Sequence, residues 1–280
     1  MSADAATARE QGHVVGTVAA VRRYPVKSML GEDLEAAVVV TGGVDGDRGL
    51  ALIDPSSGRV ATAKHPRLWR QLLQFRARVE EGVVVIDLPS GHTVRSDDSD
   101  VDPALSAAVG RPVRLTAVRP EGVTVERPAP EDVLAAGVDA EVPFEILEIA
   151  QGTSGSTFVD YAPVHLITSA TLDRIGAEAL RFRPNLVIDT SDVPPFAENG
   201  WIGREIFVGD VQLSAVLPTP RCAVPTLEHG DLPRAPHALR ALLGENRVDV
   251  PGFGVLPCAG LYATVTTGGA ISVGDRVVVR

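Results

Sequence analysis

The chain reads as a mainly β protein with α+β elements, organised as two domains. Short β-branched runs recur from Val14 to Val279 and are separated by glycine and proline punctuation. Helical periodicity is confined to a few brief stretches, and strands and helices do not alternate in a βαβ rhythm. At 280 residues the chain is long for one compact core and comfortable for two.

Taken in order, the first twelve residues are small and polar and read as a disordered tail. Strands are predicted at Val14–Val21, Leu34–Thr41, Gly49–Ile53, Leu72–Val79, Val83–Leu88 and Val113–Val118. Turn clusters such as Thr41-Gly42-Gly43 and Pro55-Ser56-Ser57-Gly58 separate them. The continuous apolar run Val83-Val84-Val85-Ile86 predicts a strand buried on both faces. A helix is predicted over Pro103–Val109, with Asp102 as its cap, Pro103 at the first helical position and Gly110 closing it. These elements make an N-terminal domain over 13–119. Residues 120–140, rich in Pro, Glu and Ala, read as a connector with a short helix at Glu131–Ala136. The second domain, 141–280, mixes both kinds of element. Leu172, Ile175, Ala179 and Leu180 fall at helical spacing over Ser169–Leu180, capped by Thr168 or Ser169, and a short helix covers His237–Leu243. Strands are predicted at Asn185–Asp189, Glu205–Val208, Val211–Val216, Leu261–Thr266 and Arg276–Val279.

Composition narrows the function. Hydrophobic residues at 45% with 22% charged residues indicate a globular chain. A formal net charge of −10 argues against general binding to nucleic acid or anionic membranes. Any convergence of Lys and Arg on one site stands out against that balance. The two cysteines, Cys222 and Cys258, are too few for a four-cysteine zinc or iron–sulfur site. No apolar leader or membrane-length apolar run is visible, so the expectation is a soluble cytoplasmic protein.

Four clusters carry potential chemistry. Arg221-Cys222 lies in the proline-rich stretch Pro218–Thr226, where regular helix is forbidden and an arginine favours an ionised sulfur. A thiolate there suits a soft metal, although a lone cysteine is more often a small buried apolar residue. Lys27 and Ser28, in Tyr24-Pro25-Val26-Lys27-Ser28, offer a cation and a hydroxyl to a phosphate; the alternative is a solvated lysine and a turn serine. Arg48 could present its planar fork to an oxyanion or pair with Asp45 or Asp47. Thr62-Ala63-Lys64-His65-Pro66 follows, and its His65 beside Pro66 reads more readily as structural. Arg181, Arg183 and Asn185 stand at the mouth of a strand and suit a polar heterocycle with an anionic tail, or are simply exposed. Hydrolytic signatures such as G-x-S-x-G and H-E-x-x-H are missing, as is a Walker loop.

Tyr24-Pro25-Val26-Lys27-Ser28, Asp47-Arg48, Thr62-Ala63-Lys64, Asp160-Tyr161-Ala162-Pro163, Arg183-Pro184-Asn185, Arg221-Cys222 and Ile271–Asp275 together resemble, in order, the motifs of MOSC-domain proteins. The resemblance is to the branch with an N-terminal MOSC β-barrel domain, which includes the mitochondrial amidoxime-reducing component and its bacterial relatives. It runs from about Val14 to Val279 and implies an N-terminal MOSC-type β-barrel domain followed by a MOSC β-barrel-like domain. It further implies a molybdenum–pyranopterin cofactor, with Cys222 as the protein sulfur on the metal. By the same resemblance Lys27, Ser28 and Arg48 hold the cofactor from the first domain. Arg183, Asn185, Arg221 and Tyr262 hold it from the second, and Asp160 is a catalytic position. Pro220 and Ala162 depart from residues with hydroxyls in some members. The implied activity is reduction of small N-hydroxylated compounds, with electrons from a separate donor protein because no cluster-binding cysteines follow. A cofactor or sulfur carrier without turnover is the alternative, and a β scaffold binding some other anion, with Cys222 merely buried, is the plain one.

Overall fold

The computed structural model describes residues 12–153, 155–190 and 192–280, so the tail expected at 1–11 lies outside the described residues. Seven strands close into a barrel. They are β1 (His13–Arg23), β2 (Val164–Thr168), β3 (Leu186–Asp189), β4 (Glu205–Val208), β5 (Val211–Pro220), β6 (Gly254–Thr267) and β7 (Arg276–Val279). The ring runs β2-β3-β1-β7-β4-β5-β6 and returns to β2. Each seam is antiparallel except β2–β3, which is parallel. Alternate residues point inward, as a pleated strand requires: Leu186 and Ile188, Ile206 and Val208, Leu261 and Ala263, Val277 and Val279. Closure leaves no edge in the ring to pair with another chain.

Two features of the ring depart from expectation. Strand β1 comes from the start of the chain, yet it pairs with β3 and β7 inside the barrel of the C-terminal half. Strand β2, not predicted, is followed by a crossover to the parallel β3, so one βαβ unit is present. All five residues of β2 are buried, and a histidine and a threonine among them mask the apolar run.

Six described helices decorate the strands: α1 (Pro66–Trp69), α2 (Val101–Val109), α3 (Pro130–Ala136), α4 (Ser169–Ile175), α5 (Ala179–Phe182) and α6 (Pro236–Glu245). The helix predicted over Ser169–Leu180 is two pieces, because Gly176 turns left-handed at φ 69° and ends α4. Thr168 is the cap, its hydroxyl accepting from the Thr171 amide. Helix α2 begins earlier than predicted, with Asp100 in the cap position. The Asp102 carboxylate instead accepts the Leu115 amide at 2.8 Å, tying α2 to the strand Arg114–Thr116.

In the N-terminal half, Arg76–Glu80, Val83–Asp87 and Thr93–Arg95 form a sheet over a core of Val26, Met29, Leu52, Leu72, Phe75, Ile86 and Leu105. Leu72 belongs to a 3-10 turn, Arg70–Gln74, rather than to the following strand. Of the run Val83–Ile86 only Val85 and Ile86 are buried, one on each face of the sheet, and Ile86 is the one that joins this core, while Val83 and Val84 are half-buried. Residues 120–140 are built into the molecule. Thr124–Pro128 pairs with Phe144–Glu148 in a hairpin, and Val125 packs with Ile53, Ile149 and Phe158.

Candidate functional site

A cleft lies where the hairpin, the N-terminal half and the barrel meet, with about 1270 Å³ between its walls counted out to the open mouth. Lys27, Arg48, Lys64, Arg127, Arg181, Arg183 and Arg221 line it, against the acids Asp160 and Glu148. Seven cations face two carboxylates in a chain of net charge −10, so the cleft is built for an anion.

Cys222 lines this cleft and is half-buried. Strand β5 carries it there. The strand runs on through Pro218 and Pro220, beyond the predicted end, with its register shifting at Ala215–Leu217 and at Pro218–Pro220, where missing N–H groups are tolerated. Arg221 follows, its amide donating to the Pro257 carbonyl at 2.8 Å, and Cys222 is held just past the strand end. Cys258 is different: it packs with Leu217 and Val250, and burial pushes its thiol up to about 11.

The expected binding residues divide by what their polar atoms already hold. Arg221 is 7% exposed and committed to the protein. Its Nε donates to the Ala259 carbonyl and Nη1 to the Phe182 carbonyl, both at 3.0 Å, while Nη2 meets Ala259 and, at 2.6 Å, Nε2 of His165. Because a guanidinium only donates, that imidazole nitrogen accepts and His165 is neutral. Burial, then the Arg221 charge, lowers His165 well below its ordinary value. Asn185 is likewise committed: its Oδ1 accepts the His165 amide at 3.1 Å and its Nδ2 donates to the Arg22 carbonyl at 3.2 Å. The amide side chain thereby stitches β1 and β2 beside the cleft. The Ser28 hydroxyl donates to Thr62 Oγ1 at 3.2 Å and accepts the Ala63 amide at 3.1 Å.

Other site groups keep capacity for a ligand. Arg48 and Arg183 both lie against the buried Tyr24 ring, with guanidinium carbons 4.8 and 4.4 Å from its centroid. Arg48 also pairs with Asp47 and donates to the Arg183 carbonyl at 3.0 Å. Arg183 Nη1 donates to the Met29 carbonyl at 2.7 Å, but its buried Nη2 has no hydrogen-bond partner among the described residues. Burial, reinforced by the Arg48 charge, lowers the Arg183 guanidinium to about 10. Ser28, Arg48 and Arg183 all adopt left-handed backbone, at φ 68°, 48° and 56°. Such strain is sparse in non-glycine residues and collects at working sites.

On the floor of the cleft Lys27 donates to the Phe158 carbonyl at 2.7 Å and to Asp160 Oδ1 at 2.6 Å. Lys64 reaches the same oxygen at 2.9 Å. Burial alone would raise the Asp160 carboxyl; the two ammonium groups override it and hold it well below the usual range. Tyr262, Tyr161 and Phe253 form an aromatic wall, with Tyr161 6.0 Å from each of the other two rings. Burial, then the Asp160 charge, pushes the Tyr262 phenol up.

The cleft thus gathers Cys222, Asp160, Lys27, Ser28, Arg48, Arg183, Asn185, Arg221 and Tyr262. His165 also lines the cleft, although nothing in its local sequence marks it as a site residue. Lys64 of Thr62-Ala63-Lys64 lines the cleft as well. His65 lies outside the cleft lining, bonded to Glu126 Oε2 at 2.7 Å and set against Phe144.

Comparison with known proteins finds a domain family for each half of the chain. The family model "MOSC N-terminal beta barrel domain" matches residues 15–122, and "MOSC domain" matches 154–278. Mitochondrial amidoxime-reducing component 1 of Homo sapiens is 29% identical over 146 residues, covering 48% of this chain and 42% of that protein. Mitochondrial amidoxime reducing component 2 of Rattus norvegicus is 32% identical over 132 residues, covering 43% of this chain and 37% of that protein. The matched region therefore spans less than half the length of either relative. Among solved structures, the YUAD protein from Bacillus subtilis aligns over 95% of both chains at 11% identity, with a TM-score of 0.43. With both domain models matched in tandem and the ordered motifs converging on one cleft, the chain belongs to the MOSC-domain proteins that carry an N-terminal MOSC β-barrel domain.

Proposed function

We propose that this protein is a molybdenum-cofactor oxidoreductase that reduces N-hydroxylated compounds, converting N–OH to N–H. One observation carries the reading: a half-buried cysteine stands in a cleft lined by seven cations in an otherwise acidic chain. The described residues contain no group of three or more His, Cys, Asp or Glu able to hold a metal ion. A metal bound here has to bring its own ligands, and Cys222 is the cysteine that lines the cleft. That fits a pyranopterin cofactor, which carries its own sulfurs and an anionic phosphate. When bound, the cofactor supplies two-electron redox chemistry at molybdenum.

The chain's own residues do the rest. Arg221, tied to β2, β6 and the end of α5, holds the strand terminus that presents Cys222. Arg183 Nη2 and the arginines beside it offer donors to the cofactor's anionic parts, which must be neutralised once they leave water. The Tyr24 ring lies against both the Arg48 and the Arg183 guanidinium groups and favours their charged forms. The Tyr161–Tyr262–Phe253 wall receives the apolar part of a small substrate and excludes water from one side. The electrons come from a separate donor protein.

The test is metal analysis of the purified protein, with oxidised-pterin fluorescence and turnover of an amidoxime under an artificial reductant. Cys222→Ala is expected to lose bound molybdenum and activity together. Full occupancy and normal turnover in that variant would sink the assignment, and loading of the native protein without turnover would make it a carrier.

A further inference from the structure

Of the 26 basic residues in the chain, only Lys27 and Lys64 are lysines; the other 24 are arginines. These two lysines, 37 positions apart in the sequence, meet on one oxygen, Asp160 Oδ1, at 2.6 and 2.9 Å. Arginine supplies charge everywhere else in this protein, and three neighbours in the cleft, Arg48, Arg183 and Arg221, are arginines. A guanidinium keeps its proton at any working pH, whereas a buried ammonium releases one readily. The residue type therefore matches a need to give up a proton rather than only to attract an anion.

Resting on the reduction of N–OH groups inferred above, we propose that Lys27, Asp160 and Lys64 form the proton-donating unit of the cleft. Side-chain exposure grades from 5% at Lys27 to 16% at Lys64 and 36% at Asp160, so the carboxylate faces the open space and bridges the two ammonium groups. Reduction of R₂N–OH to R₂N–H and water consumes two electrons and two protons. The N–O bond breaks, the departing hydroxyl takes one proton and leaves as water, and the nitrogen takes the other. The electrons come from the donor protein and both protons from the unit, which solvent recharges through Lys64.

The surroundings leave a lysine as the group that titrates. Burial lowers the Lys27 ammonium, Asp160 partly restores it, and Lys64 and Arg48 lower it again, to about 8. Asp160 stays ionised, His165 stays neutral, the Tyr262 phenol is pushed up, and the arginines Arg48, Arg183 and Arg221 keep their charge around it. A general acid is most effective with its pKa close to the working pH.

The deciding variants are Lys64→Arg and Lys27→Arg, which keep the charge but not the removable proton. In cofactor-loaded protein reducing an amidoxime, native kcat is expected to fall as pH rises through about 8. Lys64→Arg should lower kcat by about 100-fold, in the range of a lost general acid, with molybdenum content and KM held within about twofold. Native kcat in both arginine variants would overturn the proposal. A second arm needs no turnover: ¹⁵N NMR of the lysine Nζ atoms in metal-free protein gives two signals, assignable with one variant. One is expected to titrate near 8 and to shift lower in Asp160→Asn. If both titrate near the ordinary 10.5, the proposal fails whatever the turnover. If the NMR signature holds while the loaded native protein leaves amidoximes untouched, the unit stands and the reduction reading falls.

Discussion

Lys27 is held charged in a place that water barely reaches, 4% exposed, and the folded chain bears the desolvation cost. Its proton is bound less tightly in the folded state, at about 8, than in the unfolded one, near 10.5. Below about 8 both states are protonated and the burial cost is fully felt; between 8 and 10.5 the folded state releases its proton first. Stability of the metal-free protein should therefore rise with pH across that window. Lys27→Met removes the titrating group, so urea denaturation at about pH 7 and about pH 9.5 should show the rise in the native chain alone. Equal slopes in both proteins would contradict it. The same scale shows what residue type does and does not reveal. Arg221 and Asn185 stand at the positions the motifs indicated, but their donors are spent on backbone carbonyls and, for Arg221, on His165. Whether an arginine binds a ligand or braces a strand depends on partners that its neighbours in sequence do not announce.

Among the elements, the β2–β6 seam that closes the barrel depends on one glycine. Gly260 sits at φ 74°, and a Cβ there would strike the Leu166 carbonyl oxygen and approach His165 Nε2 to 2.7 Å. Both the backbone conformation and the space forbid a side chain. Gly260→Ala should open the seam, displace His165 from Arg221 and cost more than about 3 kcal/mol in urea denaturation. A loss below about 1 kcal/mol would mean that the seam yields easily. Element types were largely readable from periodicity, as with β4 and β7. Ends were less so. The β5 prolines lie beyond the strand end predicted at Val216, yet the strand runs on to Pro220 through its register shifts, and the apparent helix at Ser169–Leu180 breaks at Gly176.

At the scale of the molecule, the two halves are interlocked by β1, which lies between β3 and β7 and supplies Val15, Val18 and Val21 to the barrel core. The strand pair Ala36–Val40 with Gly269–Ser272 adds a second tie. A fragment of residues 120–280 alone would expose the facing edges of β3 and β7 and leave a gap in the core. It should show no cooperative unfolding by circular dichroism and should aggregate on size exclusion. Fusing residues 12–24 back should restore cooperative unfolding and abolish the aggregation. Native-like, cooperative unfolding of 120–280 alone would show that β1 is dispensable. The cleft sits at this junction, so its cations converge only when both halves are joined.

By itself the sequence determined the mainly β class, the chemistry available at the site and, through ordered short motifs, the family. These depend on local periodicity and on which side chains are present. Only the tertiary structure decided that β1 completes the C-terminal barrel, that Arg221 braces Cys222, and that both lysines share Asp160. Such pairings join residues far apart, 133 positions for Lys27 and Asp160, and are set by strand register and ring closure rather than by local propensity.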